Sequence, residues 1–254
     1  MGTESYGLEH IHNLLLEAGL KFDKICREND ICYSLHGGTL LGAERNHKFI
    51  PWDDDMDISM KRSEYKKFQE IATKLPSNFW LDEKSMWVPR LVLKKENELV
   101  CIDIFVWDYI SSNELIQKIK INLLRFYQGM LKGSVDYKRF GIINKALLFI
   151  THIVGMLIPF SVKLKHFKYL CEHTFVGDKK CIHRSNDAFL GVSYVFDSTY
   201  MDGYIDIEFE NHKFMVNERY HEFLERNYGA DYLIPPSKDK RIPEHEKIRK
   251  DLQL

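Results

Sequence analysis

The sequence has few cysteines and almost no net charge. Its 254 residues include five cysteines without a Cys-x-x-Cys pair, and an odd set of this kind argues against the disulfide framework of a secreted domain. Thirty-six basic and 37 acidic residues give a formal net charge of −1, so no overall field directs the chain to nucleic acid. We therefore expect a cytoplasmic protein without a nucleic-acid partner.

The sequence also lacks an export signal and a long hydrophobic run. Glu4, Glu9 and His10 precede any apolar stretch, whereas a signal peptide has a basic start followed by a hydrophobic block. The longest apolar stretch, residues 146–160, is shorter than the roughly 20 residues that cross a bilayer. We therefore expect neither export nor a transmembrane span. The hydrophobic content of 44% is typical of a globular core.

Charge is distributed unevenly along the chain. Between Leu115 and Arg184 there are thirteen basic and three acidic residues, so this segment carries +10 and the remainder −11. Its apolar residues recur at helical spacing, as at Leu115, Ile119 and Leu123. The segment is interpreted as a helical insertion that rests on anionic lipid, as a peripheral membrane contact. The alternative is a helical subdomain whose apolar face packs on the core.

The rest of the chain alternates between helical and strand patterns. We predict an α+β fold with a catalytic core in residues 1–110 and 191–254 and a basic helical insertion at 111–190. Ser63 is predicted to cap the helix after the second strand. The expected elements are a helix over 8–28, strands over 31–35 and 56–60, a hairpin of 91–93 with 100–107, a hairpin of 204–209 with 213–216 around a turn at 210–211, and a helix over 218–228.

A crowded acidic stretch is the most informative feature. Asp53, Asp54, Asp55 and Asp57 bring like charges together, which is costly unless a cation neutralises them. Residues two apart in a strand share a face, so Asp55 and Asp57 are predicted to bind the same metal site. Asp53 has the same parity but follows a turn at 51–52, and Asp54 points away. Carboxylate oxygens favour Mg²⁺ or Mn²⁺. The alternative is a solvent-exposed acidic turn.

Asp103 is the candidate third carboxylate. It lies in an otherwise apolar strand between Ile102 and Ile104, where an acid needs a partner. If this strand lies beside residues 56–60, Asp103 shares the metal ions and accepts the proton of an attacking hydroxyl. The alternative is a structural ion pair with an Arg or Lys.

Gly37, Gly38 and Thr39 form a candidate phosphate site. They lie between a predicted strand and a predicted helix, where glycines allow close approach and helix amides bind anions. Such a triplet is as often only a turn. The order of Gly-Gly-Thr, an Asp-x-Asp and a later Asp is the specific signal.

The run from Gly37 to Met60 resembles the signature of the LicD family, relatives of the fukutin-related proteins, and its order is similar to that of the nucleotidyltransferase fold. The resemblance extends to residues 101–105 and 209–245. It implies a nucleotidyltransferase-like mixed-sheet core with Asp55, Asp57 and Asp103 as metal ligands. It also implies metal-dependent transfer of a phospho-alcohol to a sugar of a bacterial surface glycan. Phosphocholine from CDP-choline is the typical group, and some relatives use CDP-ribitol.

Three positions depart from the family pattern. Asn46 replaces the usual histidine, Lys48 replaces the usual glycine, and a proline is missing around residues 216–217. The candidate metal residues are intact, so the identity of the alcohol (choline, ribitol or glycerol) stays open.

Three further residues and a C-terminal segment are candidate donor contacts. Arg45 suits a phosphate or the departing nucleotide, with a surface ion pair as the alternative. Trp52 suits a base or a trimethylammonium group, with simple packing as the alternative. Lys94 is a candidate phosphate contact at the hairpin turn. By the resemblance, a C-terminal segment closes over the nucleotide, and its pattern residues are Tyr232, Pro235, Pro236, Arg241 and His245.

Two Cys-x-His pairs, Cys171 with His173 and Cys181 with His183, are a weaker candidate for zinc. Their spacing is uncommon, and ordinary thiols are the favoured interpretation.

The expected partners in phospho-alcohol transfer are a CDP-activated donor and a glycan acceptor of lipopolysaccharide, teichoic acid or capsule, lipid-linked at the inner face of the cell membrane.

Three alternatives to phospho-alcohol transfer stay open. Nucleotidyl transfer onto a small acceptor would release pyrophosphate instead of CMP. A glycosyltransferase would leave the glycine pair and Asp103 unexplained. A non-catalytic binding module would leave three costly carboxylates without a cation.

Overall fold

The computed structural model describes residues 6–133 and 142–241. This part of the chain contains seven α-helices and nine β-strands, which confirms the predicted α+β class. The helices are α1 Glu9–Glu28, α2 Gly37–Asn46, α3 Arg62–Ala72, α4 Glu114–Leu131, α5 Ile142–Met156, α6 Phe160–His173 and α7 Tyr220–Tyr228. The strands are β1 Ser34–Leu35, β2 Met56–Lys61, β3 Phe79–Asp82, β4 Arg90–Lys95, β5 Glu98–Ile110, β6 Cys181–Arg184, β7 Val195–Asp197, β8 Tyr204–Phe209 and β9 His212–Asn217.

The described chain divides into two compact units. Unit 1 contains residues 6–82, 89–106 and 199–241, and unit 2 contains residues 83–88, 107–133 and 142–198. The insertion expected at 111–190 falls within the span of unit 2.

The sheet of unit 1 has the strand order β1-β2-β5-β4-β3. β1 pairs antiparallel with β2, β4 with β5, and β3 with β4. The β4–β5 hairpin places Arg90 opposite Asp103. Because β2 and β5 are neighbours, the strand of the acidic stretch lies beside the strand of Asp103, which is the condition set by the hypothesis that Asp103 shares the metal site.

The apolar spacing of α1 explains how unit 1 forms its core. Leu15, Ala18, Phe22 and Cys26 are buried at intervals of three and four residues, so they share one helix face. The Phe22 ring meets the Tyr33 ring edge-on at 4.8 Å between centroids. Burying one such aromatic side chain contributes about 1.5–3 kcal/mol.

The β8–β9 hairpin confirms the predicted turn. Glu210 and Asn211 have φ values of 51° and 61°, and two left-handed residues in succession suit a two-residue hairpin. The backbone N–H of Glu210 donates to His47 O at 2.8 Å, and its side chain accepts from Phe49 N–H at 2.9 Å. The turn therefore holds the loop that leads from α2 to the acidic stretch.

Unit 2 combines the end of β5 with β6, β7 and three helices. Trp107 lies opposite Arg184 and Ile182 opposite Phe196 in antiparallel register. Side chains of α4 and α6 form its apolar core, with Leu124 and Phe167 almost wholly buried. No helix in the described ranges is long and apolar enough to cross a membrane.

The boundaries differ from the sequence predictions at several points. α3 begins at Arg62 with Lys61 as its N-cap, so the prediction that Ser63 caps this helix is wrong. Gly37 and Gly38 form the first turn of α2 and do not precede it. The short strands β3, β6 and β7 were not predicted because three or four residues carry too little alternation to identify a strand.

Candidate active site

The acidic stretch alternates between two faces as a strand does. Asp53, Asp55 and Asp57 are half-buried, whereas Asp54 is buried at 4% exposure on the same side as Met56. Asp57 is in β2, whereas Asp53 and Asp55 precede it, and their alternating burial continues the pattern of the strand. None of the four is solvent-exposed, so the alternative of an exposed acidic turn is wrong.

Two of these carboxylates lie against the first turn of α2. A Cβ placed on Gly37 would overlap Asp57 Oδ2, and a Cβ placed on Gly38 would overlap Asp53 Oδ2. Gly37 also has a φ of +53°, which other residues rarely adopt. The amino end of a helix favours negative charge. The glycine pair therefore accommodates anionic groups, and in this structure those groups are the carboxylates of the protein.

Thr39 connects α2 to β2. Its Oγ1 accepts a hydrogen bond from Asp57 N–H at 2.9 Å, and the side chain is buried. His36 N–H donates to Asp57 O at 3.0 Å. The Thr39 hydroxyl is thus engaged inside the fold as an acceptor, and its contact with a phosphate stays a prediction.

Asp103 forms a two-point ion pair with Arg90. Arg90 Nε donates to Asp103 Oδ1 at 2.7 Å, and Nη2 donates to Oδ2 at 3.3 Å. The two side chains are only 13% and 14% exposed. Sequence reasoning missed Arg90. A signal was available, because the predicted β4–β5 hairpin places residue 90 directly opposite residue 103.

The pKa of Arg90 indicates which acidic groups lie near the Arg90–Asp103 pair. Burial lowers the pKa of the Arg90 guanidinium, but the charge and hydrogen bonds of Asp103 outweigh burial. Cys101 and Asp55 add smaller contributions, so the pKa of Arg90 lies above its ordinary value. Asp55 thus lies within electrostatic reach of the Arg90–Asp103 pair.

Lys94 lies away from the Arg90–Asp103 pair. It is paired with Leu99 in the same hairpin, four residues along β4 from Arg90, or about 13 Å at the usual rise of a strand. Its side chain is exposed. The structure therefore does not bring Lys94 to the carboxylates, against the prediction of a phosphate contact there.

The C-terminal segment lies beside Arg45 and Trp52. Arg45 Nε donates to Tyr232 O at 2.6 Å, and Nη2 donates to Ile234 O at 3.2 Å. The alternative of a surface ion pair for Arg45 is therefore wrong, since its hydrogen-bond acceptors are main-chain carbonyls. The Arg241 guanidinium lies 5.0 Å from the centre of the Trp52 ring.

The same segment carries the remaining pattern residues of the tail. In the sequence, Pro235 and Pro236 lie between Ile234, whose carbonyl binds Arg45, and Arg241, which lies against the Trp52 ring. Arg241 Nε donates to Pro236 O at 2.9 Å. His245 lies outside the described residues.

The Cys-x-His pairs do not form a zinc site. His183 is fully buried, and its Nδ1–H donates to Val192 O at 2.9 Å. Cys171 is buried, whereas His173 is exposed beside Glu172. Within residues 6–133 and 142–241, no three His, Cys, Asp or Glu side chains are grouped as a metal centre. The zinc alternative is wrong for these four residues.

The carboxylates of β2 and β5 fit a divalent cation by their chemistry. Asp53, Asp55 and Asp57 offer hard oxygen donors on one face, and glycines leave room for two of them. In the described residues no three of these carboxylates converge on one point. Asp103 is paired with Arg90. A cation that uses Asp103 as a ligand must therefore share it with Arg90 or draw it away.

Comparisons with known proteins connect these residues to one family. The family described as LicD/FKTN/FKRP, nucleotidyltransferase domain, matches residues 30–143, which include the glycine pair, the acidic stretch and Asp103. The chain is 26% identical over 253 residues to the lipopolysaccharide cholinephosphotransferase LicD of Haemophilus influenzae, covering 88% of this chain and 90% of that protein. It is also 34% identical over 84 residues to an uncharacterized protein of Rickettsia typhi, covering 33% of this chain and 25% of that protein.

Proposed function

Because residues 30–143 of this chain belong to the LicD family, we propose that the protein moves phosphocholine from CDP-choline to a sugar hydroxyl of a bacterial surface glycan and releases CMP. The family match over residues 30–143 and the similarity to LicD of Haemophilus influenzae confirm the resemblance drawn from residues 37–60, and the chain is a LicD-type phosphotransferase. The name of the Haemophilus influenzae relative supports phosphocholine and a lipopolysaccharide acceptor. The observation that carries the proposal is the acidic face of β2 beside the strand of Asp103.

The residues that would hold a cation follow from this face. Asp55 and Asp57 would bind Mg²⁺ or Mn²⁺ through carboxylate oxygens, with Asp103 as the third ligand. When bound, the cation supplies positive charge that neutralises the pyrophosphate of the donor and the departing CMP. Asp53 lies on the same face against Gly38 and is a further candidate ligand that sequence reasoning set aside.

Asp103 and Arg90 would handle the proton of the acceptor. The sugar oxygen forms a bond to the phosphorus of phosphocholine while the bond from that phosphorus to the CMP oxygen breaks. Asp103 accepts the proton that the hydroxyl loses and passes it to solvent. Arg90 fixes the orientation of this carboxylate through two hydrogen bonds.

Trp52 and the C-terminal segment would bind the donor. The Trp52 ring already has a guanidinium within cation–π distance, so its environment accepts a positive group. We propose that the trimethylammonium group of choline binds at this ring and displaces the guanidinium of Arg241. Arg45 would affect donor binding indirectly, since it fixes the C-terminal segment by donating hydrogen bonds to Tyr232 O and Ile234 O.

A screen of CDP-linked donors tests the proposal. Purified protein with Mg²⁺ and a lipooligosaccharide acceptor is supplied with CDP-choline, CDP-ribitol or CDP-glycerol, and CMP is measured. We expect acceptor-dependent CMP release with CDP-choline and little with the other two. CMP release with CDP-ribitol alone would replace choline by ribitol in the proposal. Pyrophosphate release from a nucleoside triphosphate, with no reaction of any CDP-linked donor, would support nucleotidyl transfer instead.

A further inference from the structure

The second half of α5 exposes apolar side chains, unlike a helix that covers a core in water. Residues 148–156 are the part of α5 whose side chains the structure describes, and Phe149, Ile150, Ile153 and Met156 are exposed there, Met156 at 67%. Its buried side carries the small residues Thr151 and Gly155, which lie so close to α4 that a Cβ on Gly155 would overlap the backbone of Met130. An amphipathic helix in water buries its large apolar residues. The exposed residues at this face, including the one that follows the helix, are Phe149, Ile150, Ile153, Met156 and Leu157.

α4 continues this pattern with apolar residues on two faces. One face packs into the core of unit 2 through residues such as Leu124 and Leu131. The other face exposes an apolar stripe at helical spacing, and Leu115 is 70% exposed. The stripe consists of Leu115, Ile119, Leu123 and Phe126. A helix in water normally exposes polar residues outside its packed face, so this exposed apolar stripe favours a non-aqueous environment on its second side.

Exposed apolar side chains are concentrated in unit 2. Sixteen of the twenty large hydrophobic side chains that are exposed in the described residues belong to unit 2, although it is the smaller unit. On α4 and on α5 the exposed apolar residues are neighbours at helical spacing, and an apolar patch of this kind marks an interaction site. Unit 2 therefore carries more exposed apolar surface than is expected of a protein that is surrounded only by water.

The charge around these residues is positive. In the sequence from Glu114 to Cys171 there are only two acidic residues, Asp136 and Glu114, and Glu114 is exposed one turn before Lys118 on α4. Lys118 on α4 and Lys165 on α6 are exposed and make no ion pair with any residue that the structure describes. An apolar face with lysines that have no acidic partners suits a surface that offers both hydrocarbon and negative charge.

Not every basic residue of this segment is available for such a surface. Lys120 Nζ donates to Tyr109 O and Cys171 O, both at 2.9 Å, and Lys163 Nζ donates to Met130 O at 2.8 Å and Gly155 O at 2.7 Å. Three of these four carbonyls lie near the carboxyl ends of α4, α5 and α6, and the fourth, Tyr109 O, is in β5. The sequence count of +10 therefore overstates the surface charge.

We propose that the exposed apolar residues of α4 and α5 insert into the interfacial region of an anionic lipid bilayer, with Lys118 and Lys165 against the lipid phosphates. We call these nine exposed apolar residues the docking face: Leu115, Ile119, Leu123, Phe126, Phe149, Ile150, Ile153, Met156 and Leu157. α5 has 15 residues, or about 22 Å of helix, which is shorter than the roughly 30 Å hydrocarbon core. The docking face therefore lies in the interface and does not cross the bilayer.

A second copy of the chain is the less favoured occupant. A two-fold interface would place the same patch against itself, so Lys118 and Lys165 of both copies would approach with few acids to compensate them. An anionic bilayer matches the same lysines with opposite charge. Charge complementarity thus favours lipid.

Vesicle co-sedimentation of the whole protein tests the proposal without any substrate. Vesicles of phosphatidylcholine alone are compared with vesicles that also contain phosphatidylglycerol, at low and at high salt. Both carry the choline headgroup, so binding at the active site does not produce a difference between them. We expect binding to the anionic vesicles that high salt weakens. Equal binding to both vesicles, or binding indifferent to salt, would overturn the proposal.

Matched variants locate the surface. Ile153→Ser is expected to lower vesicle partition about tenfold, since an inserted aliphatic side chain is lost. Lys118→Gln is expected to lower it about fivefold. Ile205→Ser and Lys74→Gln change equally exposed residues of unit 1 and are expected to leave partition unchanged.

Two results would decide against lipid. Unchanged partition in both Ile153→Ser and Lys118→Gln would remove the docking face as the cause of binding. Self-association in the absence of lipid that Ile153→Ser abolishes would assign the face to a second copy. All of these readouts are independent of turnover, so a wrong donor assignment does not affect them.

Discussion

At the residue scale, the pair of Arg90 and Asp103 is the centre of the proposed site. A half-buried carboxylate needs a partner, and the structure supplies one directly across the hairpin. The same pair explains why Asp103 is harder to test than the acids of β2. Removing its carboxylate leaves Arg90 buried without its partner, which typically costs about 3–5 kcal/mol of stability.

Substitution of the three candidate ligands is expected to remove nearly all turnover. Asp55→Ala and Asp57→Ala remove donors from the acidic face while the fold is kept, and Asp103→Asn keeps an acceptor for Arg90 but removes the base. Turnover is measured at saturating Mg²⁺, with thermal melting as the control for folding. Because the residues act as a unit, double variants lose little more than single ones. Near-normal turnover in Asp103→Asn would reduce this pair to a structural ion pair.

Arg90 is expected to act as a positioning residue. Lysine keeps the charge but loses the planar fork, so Arg90→Lys is expected to lower kcat about 10- to 100-fold with little change in KM for the donor. Arg27→Lys is the matched control, since Arg27 pairs with Asp23 and Asp206 in a more exposed ion pair of the same unit. An equal loss of turnover in the two variants would show a general effect on stability.

At the element scale, α2 and β2 are fitted to each other. The backbone of β2 is hydrogen-bonded to His36 and Thr39, and its carboxylates use the space that two glycines leave open. The sequence predicts the glycine pair as a binding feature. It does not reveal that Asp53 and Asp57 fill the space, because that depends on the angle at which β2 crosses the first turn of α2.

Gly37→Ala is expected to displace the Asp57 carboxylate. The added Cβ overlaps Asp57 Oδ2 and also strains a backbone with φ of +53°. Gly229→Ala is the control, since Gly229 has φ of +89° and open space around it. Both variants are expected to lose about 1–2 kcal/mol of stability from backbone strain, but only Gly37→Ala is expected to lose turnover and Mg²⁺-induced thermal stabilisation. Full Mg²⁺ response in Gly37→Ala would show that Asp57 is not a ligand.

At the scale of the whole molecule, the long periodic elements and the order of the motifs could be predicted from the sequence. α1 and the two hairpins follow from periodicity and turn residues. The adjacency of β2 and β5 is only a condition of the hypothesis that Asp103 shares the metal site, and the strand order meets it. The destinations of individual charges could not be predicted. Lys120 and Lys163 look like surface residues in the sequence, yet they bind backbone carbonyls in the interior of unit 2. Such contacts depend on tertiary packing and leave no local pattern.

Acid is expected to destabilise the protein through His183. Burial first, and then the charge of Lys120, lower the pKa of His183 to about 3. The unfolded chain takes up a proton near pH 6.5, whereas the folded chain does not, so stability is lost as the pH falls from 6.5 towards 3. The loss approaches about 1.4 kcal/mol per pH unit below 6.5. Urea unfolding between pH 7 and pH 4 measures it, and His183→Asn should flatten the dependence. An unchanged slope in that variant would exclude His183 as the source.

Phosphorus NMR of a single reaction tests the central claim most directly. Wild-type protein is incubated with CDP-choline, a lipooligosaccharide acceptor and Mg²⁺, and a second sample contains a chelator in excess. The account predicts equal amounts of CMP and of a new phosphocholine diester on the glycan, both absent from the chelated sample. Free phosphocholine together with cytidylylated glycan, or the same diester yield in the chelated sample, would contradict it.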